Sequence, residues 1–228
     1  RHGQASFGRE NYDELSERGR RQCALLCRYL GALGIRFDVI YTGTLARQKE
    51  TADALLPLLS GVQSEKTPLR HEGLDEYPTE TIFRALAQEA IRKDPSLGNE
   101  VSRLMMDRRS FQRVFEAVMA LWSTGTHDMP GIITWKEFSA RVNGAIEEIM
   151  KQHGSGKTVA VCTSGGPISV AVGNVLGLSA GGTMRVVEQL VNSSVSRFKC
   201  TETRIMLHTF NEFAHLEGEK DQSLITYR

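Results

Sequence analysis

Apolar side chains at Cys23, Leu26, Cys27, Leu30 and Leu33 recur every three or four positions, behind Ser16 and ahead of Gly34. That spacing predicts an amphipathic helix with its own N-cap and stop. The pattern then changes. Phe37, Val39, Ile40 and Tyr41 are β-branched or aromatic, Thr42-Gly43-Thr44 interrupts them, and Leu45, Ala52, Leu55 and Leu59 return to helical spacing. The order is strand, loop, helix. It repeats downstream, where Thr158-Val159-Ala160-Val161-Cys162 is a short apolar run, Thr163-Ser164-Gly165-Gly166-Pro167 a loop, and residues 168–178 an apolar helix. Residues 195–200 and 204–210 are strand-like and separated by a short polar link, as antiparallel neighbours added to a mixed sheet would be.

Strands alternating with helices predict an α/β fold: a three-layer α/β/α sandwich around a mainly parallel, mixed sheet, with ligands beyond the carboxyl ends of the strands. Between the two halves the character differs. Residues 79–93 and the stripe Phe111, Val114, Phe115, Val118, Met119 and Trp122 are helical, and Asp128-Met129-Pro130-Gly131 is a break. Residues 78–131 therefore read as a helical cap inserted into a single domain spanning 1–228. Thr134 and Glu137 have the form of a capping box, opening a helix with Trp135, Phe138, Val142, Ile146 and Ile149 on one face, which returns to the core. An α/β core ordinarily enters a loop such as Arg1-His2-Gly3 from a buried strand, so a strand ahead of Arg1 is expected.

Composition narrows the function classes. The 228 residues carry 28 basic and 27 acidic side chains, a net charge of +1, which offers no bulk field for nucleic acid or an anionic membrane. Four cysteines are too few for a disulfide scaffold and lack zinc-ligand spacing, and no apolar run reaches the length of a membrane span. The expectation is a soluble cytoplasmic protein with no metal and no cofactor.

Candidate chemistry gathers in three loops: Arg1-His2-Gly3, Arg47 in the first turn of its helix, and Ser164-Gly165-Gly166-Pro167. All three fall on one inferred sheet edge. A helix N-terminus presents unpaired N–H groups, and guanidiniums match phosphoryl oxygens with forked donors, so phosphate is the natural guest. His2 has the position and the chemistry of a nucleophile toward phosphorus. Departure of the leaving oxygen calls for an acid, and Glu72, Asp75 and Glu76 offer three carboxyls, one of which, partly buried, could have its pKa raised for that duty. Ser6 is a further candidate phosphate contact. The bland alternatives are a loop histidine, an Arg47 paired with Glu50 or Glu10, an acidic turn at 72–76 and an ordinary glycine turn at 164–167. The other histidines, His71, His127, His153, His208 and His215, read as surface or structural groups, and Cys23 and Cys27 as small packing residues.

These motifs together resemble the histidine phosphatase superfamily, which includes the cofactor-dependent phosphoglycerate mutases. The likeness rests on Arg1-His2-Gly3-Gln4, Leu15-Ser16-Glu17-Arg18-Gly19, the stretch from Thr42 to Ala52 with Arg47, Leu74-Asp75-Glu76, and Thr163-Ser164-Gly165-Gly166-Pro167-Ile168, and covers roughly residues 1–77 and 132–215. The resemblance implies that His2 takes the phosphoryl group, that Arg1 and Arg47 hold phosphate, and that Glu76 donates the proton; Ser164 and Gly165 of the glycine loop are further candidate phosphate contacts. It implies a small phosphorylated substrate or inorganic phosphate as partner, and is compatible with a homodimer. One position departs: Ser164 stands where the family usually has a second histidine. A serine brings one hydroxyl donor and no charge. The reading is a phosphatase, with a mutase-like phosphotransferase or a weakened phospholigand-binding protein as alternatives, and a partner-binding cap with exposed Trp122 as a third.

Overall fold

The computed structural model describes residues 1–6, 13–60, 67–98, 108–125 and 129–227. Helix α1, Glu17–Ala32, starts where the sequence places it, with the Ser16 side chain accepting from the Gly19 N–H at 3.0 Å. Strand β1, Val39–Thr42, lies between β2, Leu69–Arg70, and β3, Val159–Cys162, and both pairings are parallel. Alternate residues of β1 serve opposite faces. Ile40 packs with Leu26 and Leu30 of α1 and with Ala52 and Leu55 of α2, Ala46–Leu55. Tyr41 packs with Ala145 and Ile149 on the other side. Helices thus cover both faces of the parallel sheet, as the two-sided apolar pattern of short parallel strands requires.

The middle of the chain adds α3, Thr79–Lys93, and α4, Arg108–Thr124, followed by α5, Trp135–His153. The Thr134–Glu137 capping box is present in both directions. Trp122 is 1% exposed and donates its indole N–H to the Ile133 carbonyl at 2.9 Å. Its ring stacks within a cluster of Tyr77, Trp135 and Phe138. The expectation of an exposed Trp122 on a partner-binding cap is therefore corrected: the indole joins α4 to Tyr77 and to α5, and truncating it to alanine would cost roughly 3–5 kcal/mol. The Phe111 side chain, Glu10, His127 and Asp128 lie outside the described residues.

Three local expectations change. Helical spacing ran to Leu59, but α2 stops at Leu55 and Leu56–Leu58 form a 3₁₀ turn, because Pro57 has no N–H to continue the ladder. After α6, Gly165–Leu176, a further helix α7, Ala180–Gln189, is capped by the Ser179 side chain. Its apolar stripe is too thin to predict. Lastly, β4, Val195–Cys200, and β5, Ile205–Glu212, form a two-stranded antiparallel unit instead of extending the parallel sheet. Residues 1–3 occupy the interval: the His2 N–H donates to the Thr163 carbonyl at 2.8 Å, and the His2 carbonyl accepts from the Ser193 N–H at 3.0 Å. A short helix α8, Ala214–Glu217, packs against α1. Among the described residues no helix is long and apolar enough to cross a membrane, and all four cysteines are free.

Candidate active site

The opening loop is clamped before any chemistry is considered. The Gly3 N–H donates to the Thr51 hydroxyl at 3.1 Å, and that hydroxyl donates to the Arg47 carbonyl one turn earlier in α2. A methyl group on Gly3 would lie 2.6 Å from the Gly19 carbonyl, and one on Gly19 would lie 2.1 Å from the Gln4 carbonyl. Only glycine lets the two backbones approach so closely. The loop carrying His2 is thereby pressed between α1 and α2, and that places the imidazole against Arg47.

His2 is 6% exposed and Arg47 9%. The Arg47 Nε–H donates to His2 Nε2 at 3.2 Å, across 45 positions of sequence. On the far side of the ring, Nδ1 lies 2.7 Å from the Gly3 carbonyl. A carbonyl can only accept, so Nδ1 carries the proton and Nε2 presents its lone pair. Burial, followed by the charges of Arg1 and Arg47, pushes the imidazole pKa well below its ordinary value, so the ring is neutral at neutral pH. Arg1 faces the same region, with its Nη1 donating to the Leu190 carbonyl.

Glu76 completes the group from a different direction. Its Oε2 accepts from the Gly166 N–H at 3.1 Å, in the first turn of α6, and its Oε1 accepts from the Tyr77 N–H at 3.2 Å. Burial raises its pKa, opposed by the Gly166 N–H and by the Arg47 charge. A methyl group at Gly166 would sit 2.0 Å from Glu76 Oε1 and 2.8 Å from the Tyr77 ring, so the second glycine of the loop makes room for this carboxyl. The three acidic candidates separate cleanly. Asp75 accepts from the Thr44 N–H at 2.6 Å and from its hydroxyl, and Glu72 lies exposed in a 3₁₀ turn.

The structure also places the remaining candidates. Ser164 is fully buried at the N-cap of α6, and its Oγ accepts from Gln48 Nε2 at 2.8 Å. Gly165 is buried, and a methyl group there would come within 3.9 Å of Arg1 Nε. Ser6 is 9% exposed and pairs through its N–H with the Glu14 carbonyl. Glu50 pairs with Arg20 rather than with Arg47. His71 contacts Glu148, His153 contacts Tyr41, and His215 contacts Ser193. His208 lies on an exposed position of β5.

Two residues that sequence reasoning missed belong to this region. Asp13 pairs with Arg47 Nη1 and also accepts from the Ala46 N–H at 2.7 Å, so one carboxylate holds both the guanidinium and the start of its helix. Gln48, fully buried beside Arg47, joins Ser164 to the Leu74 carbonyl. Neither has a local signal: each acts on residues tens of positions away.

A neutral, oriented imidazole, two guanidiniums, a carboxyl of raised pKa and a helix N-terminus form an arrangement chemically able to hold an anion and to transfer a proton. The sequence profile of the histidine phosphatase superfamily (branch 1) matches residues 1–96 and 79–212, and the chain belongs to that family. Solved structures agree on the fold. Phosphoserine phosphatase from Entamoeba histolytica, in complex with 3-phosphoglyceric acid, superposes with a TM-score of 0.63 at 19% identity, covering 94% of this chain and 95% of that one. Mycobacterial glucosyl-3-phosphoglycerate phosphatase gives 0.56 at 18%, covering 92% and 95%. The α-ribazole phosphatase of Shigella flexneri gives 0.54 at 18%, covering 87% and 84%. No curated protein sequence matches the chain significantly.

Proposed function

We propose that this protein is a phosphomonoesterase that passes a phosphoryl group from a small substrate to His2 and then to water. The observation that carries the reading is the pinned ring: Nδ1–H on the Gly3 carbonyl and the Nε2 lone pair beside Arg47. In the first step Nε2 attacks phosphorus in line, the bond from phosphorus to the ester oxygen breaks, and Glu76 gives its proton to that oxygen. Arg47 turns from Nε2 to the phosphoryl oxygens, where Arg1 and the N–H groups at the start of α6 add positive potential. In the second step Glu76, now ionised, takes a proton from water, the water oxygen bonds to phosphorus, and the N–P bond breaks. Positioning and electrostatics supply most of the acceleration in such transfers, and no step written here requires a metal.

The substrate class is a small phosphomonoester of the kind that names the structural neighbours. Residues 78–131 act as the cap that selects it. A cytoplasmic location and a homodimer accord with this reading. The deciding experiment is hydrolysis of p-nitrophenyl phosphate by wild type and His2→Ala, together with trapping of acid-labile phosphohistidine. His2→Ala is expected to lose hydrolysis by at least about 10³-fold and to trap no label. Full hydrolysis in that variant removes His2 from the mechanism.

A second reading, a phospholigand-binding protein that turns over slowly, draws on Ser164, whose hydroxyl is fully buried and engaged by Gln48. Orthophosphate binding measured beside the hydrolysis rate separates the two: tight binding with no turnover supports the second.

A further inference from the structure

Position 164 is surrounded by the site. The residue before it, Thr163, takes the His2 N–H on its carbonyl and donates its own hydroxyl to Leu74, two residues ahead of Glu76. Two residues after it, the Gly166 N–H holds Glu76. Across from it stands Gln48, next in sequence to Arg47. On the proposed reading, a donor at this point, long enough to reach past the loop, would face the oxygens of the phosphoryl group whose phosphorus His2 attacks. Serine is too short and has no open surface.

The space is not empty. Gln48 is 0% exposed, with its two amide hydrogens on Ser164 Oγ at 2.8 Å and on the Leu74 carbonyl at 3.1 Å. Its amide oxygen is buried with no hydrogen-bond partner among the described residues, which is a cost to the fold. That oxygen lies in the space a side chain at residue 43 would take: a methyl group on Gly43 would lie 2.0 Å from it. The carboxamide thus sits between Gly43 and Ser164, hydrogen-bonded to the serine. A long side chain at 48 and a short one at 164 fill one volume between them.

We propose that Gln48 and Ser164 form a single unit in which the glutamine carboxamide occupies the room an imidazole at 164 requires. Gln48 is thus the residue that fixes this site in its serine form. The proposal rests on the reading of the site as a phosphotransfer centre. It has a consequence opposite to simple repair: introducing histidine at 164 alone overpacks the loop, whereas shortening residue 48 at the same time restores the volume.

The test compares wild type, Ser164→His, Gln48→Ala and the double variant in kcat for p-nitrophenyl phosphate and in Tm. Ser164→His alone is expected to lower Tm by several degrees with no gain in kcat. The double variant is expected to recover Tm relative to Ser164→His and to exceed wild-type kcat by up to about a hundredfold, the scale of one well-placed transition-state donor. A purely structural role for Gln48 would move Tm but leave the two kcat effects multiplicative. Gln48→Met with Ser164→His keeps the volume filled without the amide and should stay slow.

The proposal is overturned if Ser164→His alone gains as much as the double variant, if the Met-containing variant gains equally, or if the double variant is no faster than wild type or does not fold. His2→Ala provides the control for the underlying reading. If it retains hydrolysis, the phosphotransfer assignment itself fails; if it abolishes hydrolysis while the double variant gains nothing, only the Gln48–Ser164 proposal fails.

Discussion

Three helices outside the site and the two that frame it begin differently. α1, α5 and α7 are each capped by the residue just before them, Ser16, Thr134 and Ser179. α2 and α6, which carry Arg47 and the glycine loop, have no side-chain cap of their own. Distant carboxyls meet their first N–H groups instead: Asp13 at Ala46 and Glu76 at Gly166. A side chain from the residue just before a helix can hold only that helix start. Carboxyls arriving from other loops also tie those loops to the helix that carries Arg47 and to the one that opens with the glycine pair.

The comparison can be broken most severely at Gly166. A Gly166→Ala methyl group meets both the Glu76 carboxyl and the Tyr77 ring, which is 4% exposed and packed on Trp122 and Phe138. Expulsion of Glu76 from its cap is expected to cut kcat by about 10²–10⁴-fold, the usual reach of a general acid, and to cost about 1–3 kcal/mol of stability. Steady-state kinetics and a urea melt check both. Unchanged activity would show that the carboxyl need not sit at this helix start.

A pH series sharpens the contrast between two capping glutamates. Burial raises the Glu76 pKa above 4.5, so the fold favours its protonated form, and the stability it contributes is lost as pH rises through that raised value. Glu137 shows the reverse: hydrogen bonds from the Thr134 N–H and hydroxyl lower its pKa, so its contribution is present above 4.5 and lost as pH falls. Glu76→Gln keeps an acceptor for the Gly166 N–H without the charge. Its Tm should therefore exceed that of wild type at about pH 8, with the difference closing toward acid pH, while hydrolysis of alkyl phosphates falls more than hydrolysis of p-nitrophenyl phosphate. Calorimetry across that range and rates on the two substrates test it. A wild type more stable than the variant at high pH would contradict the assigned burial.

The smallest effect is expected at a scaffold cap. Thr134→Ala removes one side of the capping box and should cost about 1 kcal/mol with kcat unaltered, as read by denaturant titration and initial rates. A large loss of activity there would erase the distinction between the two sets of helices.

Much of this was legible in the chain. Ser16 and the 23–33 stripe located α1, the Thr134–Glu137 pair located α5, and the two strand-loop-helix units placed Arg47 and Ser164 just past the carboxyl ends of two strands, which the structure pairs in parallel. Local chemistry of this kind is written in contiguous residues, because capping and periodicity act over one or two turns. The choice of Glu76 over Glu72 and Asp75 was implied only by the family resemblance; the residues alone left it open, since all three occupy one turn and their partners, Thr44 for Asp75 and Gly166 for Glu76, tell them apart. Asp13 and Gln48 were invisible for the same reason.

The sequence by itself determined the candidates for a phosphoryl site and most helix starts, because side-chain chemistry and helix-start signals are properties of short segments. Only the tertiary structure decided that the His2 lone pair faces Arg47, that Glu76 meets Gly166, and that Gln48 fills the space beside Ser164. Those facts depend on close approach between segments far apart in the chain. Packing volume and backbone crossing set that approach, and neither is recorded in the order of the residues.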